Sequence, residues 1–239
     1  MRQSSVIRAW IRGMRFRTLP IGIVAWVAMT TSMISQDAAH SGAAFPPTVT
    51  FTLDFPQSSP EHYSIAVDVN GRARYESSPK VVKDSDEETY HTEFEISAQN
   101  RERIFDWAKQ AHYFAGKIDS GNSKLAFTGT KVLSYQENDR SNTARYNYSH
   151  LEPVRELTAF FQGMAGTLEY GRRLAYYHRY QKLALDEELK RMQAQAKNNE
   201  LSEIQGVTPV LREIVEDASV MNVVRARAQE LIQMSESGR

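Results

Sequence analysis

Thirteen residues, Tyr170-Gly171-Arg172-Arg173-Leu174-Ala175-Tyr176-Tyr177-His178-Arg179-Tyr180-Gln181-Lys182, interleave four tyrosines with four cations. On a helix, Arg172, Arg173, Tyr176, Tyr177, Arg179 and Tyr180 gather within a turn or so of one another. Cations beside aromatic rings hold an anionic polymer by charge, and the rings stack a sugar or a base. These six residues are the candidate binding set. The competing reading is structural. The tyrosine rings would then join a helical half to a sheet, and the arginines would pair with Glu169 and Asp186.

Other patterns offer less. Ser77-Ser78-Pro79-Lys80 has the S-x-x-K spacing of a serine–lysine nucleophile, but Pro79 forbids the helical turn that would bring Ser77 to Lys80. Asp84, Asp86, Glu87 and Glu88 form an acidic run suited to a hard cation, without the glycine that a calcium loop needs for its sharp turn. His91 and Glu93 are two apart, so on a strand they share a side and would need a third ligand such as His62 or Asp68. G-x-S-x-G, H-E-x-x-H, the P-loop and G-x-G-x-x-G do not occur. The chain has no cysteine, which excludes disulfides, thiolate metal sites and a cysteine nucleophile. No catalytic residue, metal or cofactor is expected. Asn147-Tyr148-Ser149 matches a glycosylation sequon, which matters only in a host that glycosylates there.

The N-terminus reads as a targeting segment. Arg2, Arg8, Arg12, Arg15 and Arg17 precede an apolar run from Leu19 to Met29, and Ala39-His40-Ser41 supplies small residues for cleavage. Residues 1–41 are expected to be a signal peptide, or a signal anchor if uncleaved, and the mature N-terminus to lie near Gly42. The whole chain is neutral at pH 7. Five of its 29 basic but one of its 29 acidic side chains precede residue 42, so the remainder carries about −4. An exported protein of that charge is a poor partner for nucleic acid or an anionic surface.

The elements that must carry these residues fall into two halves. Residues 42–148 read as mostly antiparallel strands with one helix, and 149–239 as helical. Val49, Phe51, Leu53 and Phe55 alternate, as do Tyr63, Ile65 and Val67, then Ala73 and Tyr75, then Tyr90, Thr92, Phe94 and Ile96. A three-residue loop with Gly71 at positive φ pairs Val67 with Ala73 and Ile65 with Tyr75, which places all five apolar residues on one face. Ser97 caps a helix over 98–115, stopped by Gly116. Strands resume at Leu125–Phe127 and run through Val132–Tyr135, with Gly129 in a bulge, and return through Tyr146 and Tyr148. Ser149 and Glu152 suggest a capping box, and Val154, Leu157, Phe161, Met164 and Leu168 form one buried seam. Gly171 is expected to interrupt. A second helix then carries Leu174, Leu183, Leu185, Leu189 and Met192 as far as Asn198-Asn199. Leu201 to Val215 gives a short helix strained by Pro209, and Asp217 or Ser219 caps the last, so the chain ends in a helical hairpin. The fold class is α+β: an antiparallel sheet with one packed helix, followed by the helical region.

Phe127-Thr128-Gly129-Thr130-Lys131, Leu157-Thr158-Ala159-Phe160-Phe161-Gln162-Gly163, Gly171-Arg172-Arg173-Leu174, Tyr180–Lys190 and Ser219–Ala228 together resemble a group of exported bacterial proteins with no assigned function. The resemblance spans roughly residues 60–232. It implies export and a shared fold, and it carries over no catalytic residue. Two functional classes follow. One is a non-catalytic interaction or scaffold protein of the bacterial envelope, periplasmic, secreted or anchored to the inner membrane. Its partner would be a protein or an envelope polymer, with membrane contact only through an uncleaved N-terminal segment. The other is an envelope hydrolase whose site assembles from distant residues.

Overall fold

Alternating side chains build the sheet. The structure, a computed structural model, describes residues 46–80, 89–122 and 124–237, all within the compact unit Gly42–Arg239. Residues 1–41, expected to be a signal peptide or signal anchor, and the acidic run Asp84–Glu88 lie outside them. Strands β1 (Thr48–Asp54), β2 (His62–Asp68), β3 (Arg72–Ser78), β4 (Tyr90–Glu95), β5 (Thr130–Glu137) and β6 (Arg140–Tyr146) form one antiparallel sheet in the order β4-β3-β2-β1-β5-β6. Val49, Phe51, Ile65, Val67, Tyr75 and Leu133 point into the core, and the intervening Thr, Ser and charged residues face the other way.

The β2–β3 register is the one the apolar pattern requires, with Val67 opposite Ala73 and Ile65 opposite Tyr75. Gly71 has φ +91°, and the Asp68 carboxylate accepts from the Asn70 and Arg72 amides at 2.8 and 3.0 Å. A β-branched residue at 71 is strained, whereas the Asn70 side chain is exposed. Gly71→Val is expected to cost on the order of 1–2 kcal/mol or more, and Asn70→Ala a small fraction of that. Equal shifts in thermal melts of the two variants would contradict this turn.

Helix α1 (Ala98–Gln110) starts where expected, with the Ser97 hydroxyl accepting from the Asn100 amide, but ends five residues before Ala115. His112, Tyr113 and Phe114 instead form a short turn with φ of 50°, 53° and 63°. Tertiary contacts override the helical period here. Phe114 is buried, the Tyr113 ring lies 4.5 Å from that of Tyr135, and the Tyr113 carbonyl accepts from Asn142. Leu125–Phe127 is not a strand. Its loop is tied down by Asp119, which accepts from the Gly121 and Asn147 amides, and by Asn147, which accepts from the Thr128 amide and donates to the Ala126 carbonyl. Gly129 sits just before β5, where a Cβ would meet Leu53 Cδ1 at 2.7 Å, so it marks a close approach to β1 rather than a bulge.

Helix α2 (Glu152–Tyr180) runs unbroken for 29 residues, about 44 Å. Leu151, not Ser149, is its cap position; Ser149 is buried and accepts from the Leu151 amide instead, so the capping box does not form. The seam Val154, Leu157, Phe161, Met164 and Leu168 is buried as expected. Gly171 does not interrupt. A Cβ there would stand 2.5 Å from Val207 Cγ1, so the glycine permits contact rather than ending the helix. Gly163, Thr167 and Gly171, four apart, line a channel that seats residues 200–207, and the Thr167 hydroxyl donates to the Ser202 carbonyl at 2.7 Å.

A 3-10 turn, Lys182–Ala184, leads into α3 (Leu185–Lys197), which buries Leu185, Leu189 and Met192. The turn breaks the period and leaves Leu183 outside the seam, 84% exposed. After Asn198 and Asn199, α4 (Thr208–Glu216) takes Pro209 in its first turn, where a missing N–H costs nothing, so no strain results. Helix α5 (Asn222–Glu236) packs back on α4 as a hairpin. Its cap position is Met221, so neither Asp217 nor Ser219 caps it. Among the described residues no helix is long and apolar enough to cross a membrane.

Candidate binding site

The interleaved segment lies on the C-terminal half of α2, and its two ends behave differently. At the inner end, Glu169 is buried and faces the sheet. Its Oε1 accepts from the Tyr75 and Ser77 hydroxyls, both at 2.8 Å, and its Oε2 takes Arg172 at 2.7–2.8 Å. Burial first, and then the Glu169 charge, push the Tyr75 phenol well above its ordinary range, so it stays a neutral donor. One turn on, Arg173 binds buried Glu188 of α3 at 2.6 Å and lies over the Tyr170 ring. Arg173 therefore links α2 to α3, while Arg172 pairs within α2 and fixes the carboxylate that joins α2 to β3. The sequence reading placed Asp186 among the arginine partners; Asp186 pairs instead with Lys190 and Arg227.

At the outer end the side chains open to solvent. Tyr176 and Tyr180, one turn apart, are 51% and 62% exposed, and their rings meet at 5.2 Å with a 50° tilt. Tyr177 packs partly into the core while its ring edges Tyr176 at 5.8 Å. Arg179 is exposed, lies 5.2 Å over the Tyr180 ring and has no carboxylate partner among the described residues. Leu183 stands immediately beyond. The six candidate residues thus divide into Arg172 and Arg173, whose charges are paired within the fold, Tyr177, which packs partly into the core, and Tyr176, Arg179 and Tyr180, which face an open surface.

That surface is one wall of a pocket of about 630 Å³ between the end of α2 and α4, also lined by His178, Lys182, Glu213 and Asp217. Asp217 organises its floor. One carboxylate oxygen takes Lys182 Nζ at 2.5 Å and His178 Nε2 at 3.0 Å; the other takes the Ser219 hydroxyl and amide at 2.6 and 2.9 Å. The Lys182 and Ser219 contacts hold the Asp217 carboxyl far below the usual carboxylate range. Lys182 Nζ also donates to the Ser219 hydroxyl at 2.5 Å. An ammonium ion-paired in this way has no lone pair with which to take a serine proton, and His178 faces Asp217 rather than Ser219. The cluster can bind, and its geometry does not prepare a nucleophile.

The remaining sequence candidates are not brought together. Ser77 is occupied by Glu169, and Lys80 lies exposed past the end of β3. His91 is nearest Glu76 at 3.7 Å and Glu93 is paired with Arg74, while His62 binds Asp54 and Asp68 holds the Gly71 turn. Among the described residues no three His, Asp or Glu side chains converge to hold a metal. Sequence reasoning missed Glu213, and it saw in Asp217 and Ser219 only helix caps. Asp217-x-Ser219 does signal a turn, but the partners that make it a pocket floor lie 35–39 residues away. A scan against protein-family models returns no match, and a search of curated proteins returns none either.

Proposed function

We propose that the chain is an exported, non-catalytic interaction or scaffold protein of the bacterial envelope, and that the outer end of α2 is its docking face. The supporting observation is the division within one segment. Arg172 and Arg173 are spent on internal carboxylates, while Arg179 and the Tyr176–Tyr180 pair are left to solvent beside a pocket. Exposed aromatic side chains and arginine are the types that carry most binding energy at interfaces. Export rests on the basic, apolar and small-residue order of residues 1–41. The hydrolase reading has less support, because Ser219, Lys182 and Asp217 are engaged with one another.

The test compares wild type with Tyr176→Ser/Arg179→Gln/Tyr180→Ser in sedimentation with isolated envelope fragments over a salt series. The triple variant should melt within a degree or two of wild type, since it removes exposed groups. Wild type should co-sediment and be released by salt, and the variant should stay in solution. Equal co-sedimentation of both proteins would move the docking face elsewhere.

A further inference from the structure

We infer that the pocket at the end of α2 takes a saccharide carrying an acidic group. This rests on the proposal that the face is a docking site, and it names the class of occupant. The argument lies in the mixture of groups around the pocket. The groove of about 630 Å³ opens widely to solvent, so an occupant would lie against its wall rather than be enclosed. Tyr176 and Tyr180 stay 51% and 62% exposed although Arg179 lies over the Tyr180 ring, so they offer apolar ring surface, a platform directly beside that guanidinium. A sugar ring has an apolar C–H face to lay on that platform and a rim of hydroxyls that both donate and accept.

The groups around the platform match such a rim. Glu213 is an acceptor; its side chain is 68% exposed, and His178 Nδ1 is 4.0 Å away. Arg179 and the third proton of Lys182 are donors. Asp217 is satisfied by Lys182, His178 and Ser219, so it fixes Lys182 rather than competing for the ligand. Inorganic polyphosphate presents acceptors almost alone. It would gain nothing from Glu213, to which a sugar hydroxyl would donate. The cation oriented over the Tyr180 ring, without an internal carboxylate among the described residues, supplies the preference for an acid-bearing sugar.

The test is calorimetric titration of the full chain with a panel of acidic di- and trisaccharides (hexuronates, muramate- and sialate-containing), their neutral counterparts, inorganic polyphosphate and phosphatidylglycerol vesicles. At least one acidic saccharide is expected to bind at least tenfold more tightly than its neutral counterpart, and to weaken with salt. Tyr176→Ser/Tyr180→Ser should weaken acidic and neutral sugars alike by tenfold or more. Arg179→Gln should reduce the acidic sugar to the neutral level, and Glu213→Ala should weaken both. Each variant should keep the wild-type melting temperature. Tighter binding of polyphosphate or vesicles than of any saccharide would overturn the inference, as would sugar binding indifferent to the two tyrosines. Envelope retention that depends on the face, with no saccharide bound across the panel, would remove the sugar and leave the docking face standing.

Discussion

Phe161→Ala should lower the stability of the protein by about 3–5 kcal/mol, as measured by urea unfolding. The Phe161 ring is fully buried and stacks on Phe51 of the central strand β1, with centroids 5.5 Å apart and planes within 6°. Phe160 turns the other way to meet Trp107 of α1. Position 161 thus joins the helical half to the middle of the sheet. Backbone on both sides is committed to regular hydrogen bonding, so the cavity has little freedom to collapse. Leu157→Ala, one turn earlier in the same seam, should cost about 2–5 kcal/mol. A loss below about 1 kcal/mol at both positions would mean that the seam is not packed against the sheet.

Glu169→Ala should come next in size, at about 3–5 kcal/mol if the full penalty of breaking a buried pair applies. The lower end is expected, because Arg172 is half exposed and can rehydrate when its partner is lost. Most of the cost falls on the Tyr75 and Ser77 hydroxyls, which are buried and would lose their shared acceptor, at about 1–3 kcal/mol each. Arg172→Gln removes the exposed member and leaves both hydroxyl bonds, so it should cost about 1 kcal/mol or less. A cost for Arg172→Gln equal to that of Glu169→Ala would place the stabilisation in the ion pair instead of the hydroxyl network.

The strand half was legible because its signals are local. Period-two alternation in β1 to β4 and a glycine that alone tolerates φ +91° at position 71 specify both faces and register without any distant contact. The 3-4-3-4 spacing of Val154 to Leu168 was equally plain. Misreadings arose where distant residues decide. Gly171 looked like a helix break until residues 200–207 lay against it, and Pro209 looked like strain until α4 began at its own first turn. Ser149 looked like a cap, and Leu183 like a core residue, until the helix ends fell elsewhere. At the site, the composition of the segment pointed to α2, but the fate of each arginine did not follow from spacing. Arg172 pairs with a Glu169 that Tyr75 and Ser77 hold against the sheet, and Arg173 with Glu188 of α3; Tyr75, Ser77 and Glu188 lie in other parts of the chain. Asp217, on the pocket floor, comes from a turn between two later helices, where Ser219 holds it.

The central claim, that partners dock at the outer end of α2, is tested most directly by a photo-crosslinking residue placed at Tyr180 in growing cells, beside a control at Val69. Both positions are exposed, and they lie on separate elements, the end of α2 and the tip of the β2–β3 hairpin. Irradiation should give a discrete heavier adduct from position 180, lost when Arg179→Gln and Tyr176→Ser are added, and none from position 69. Adducts of equal yield from both positions, or an adduct from position 69 alone, would contradict the account.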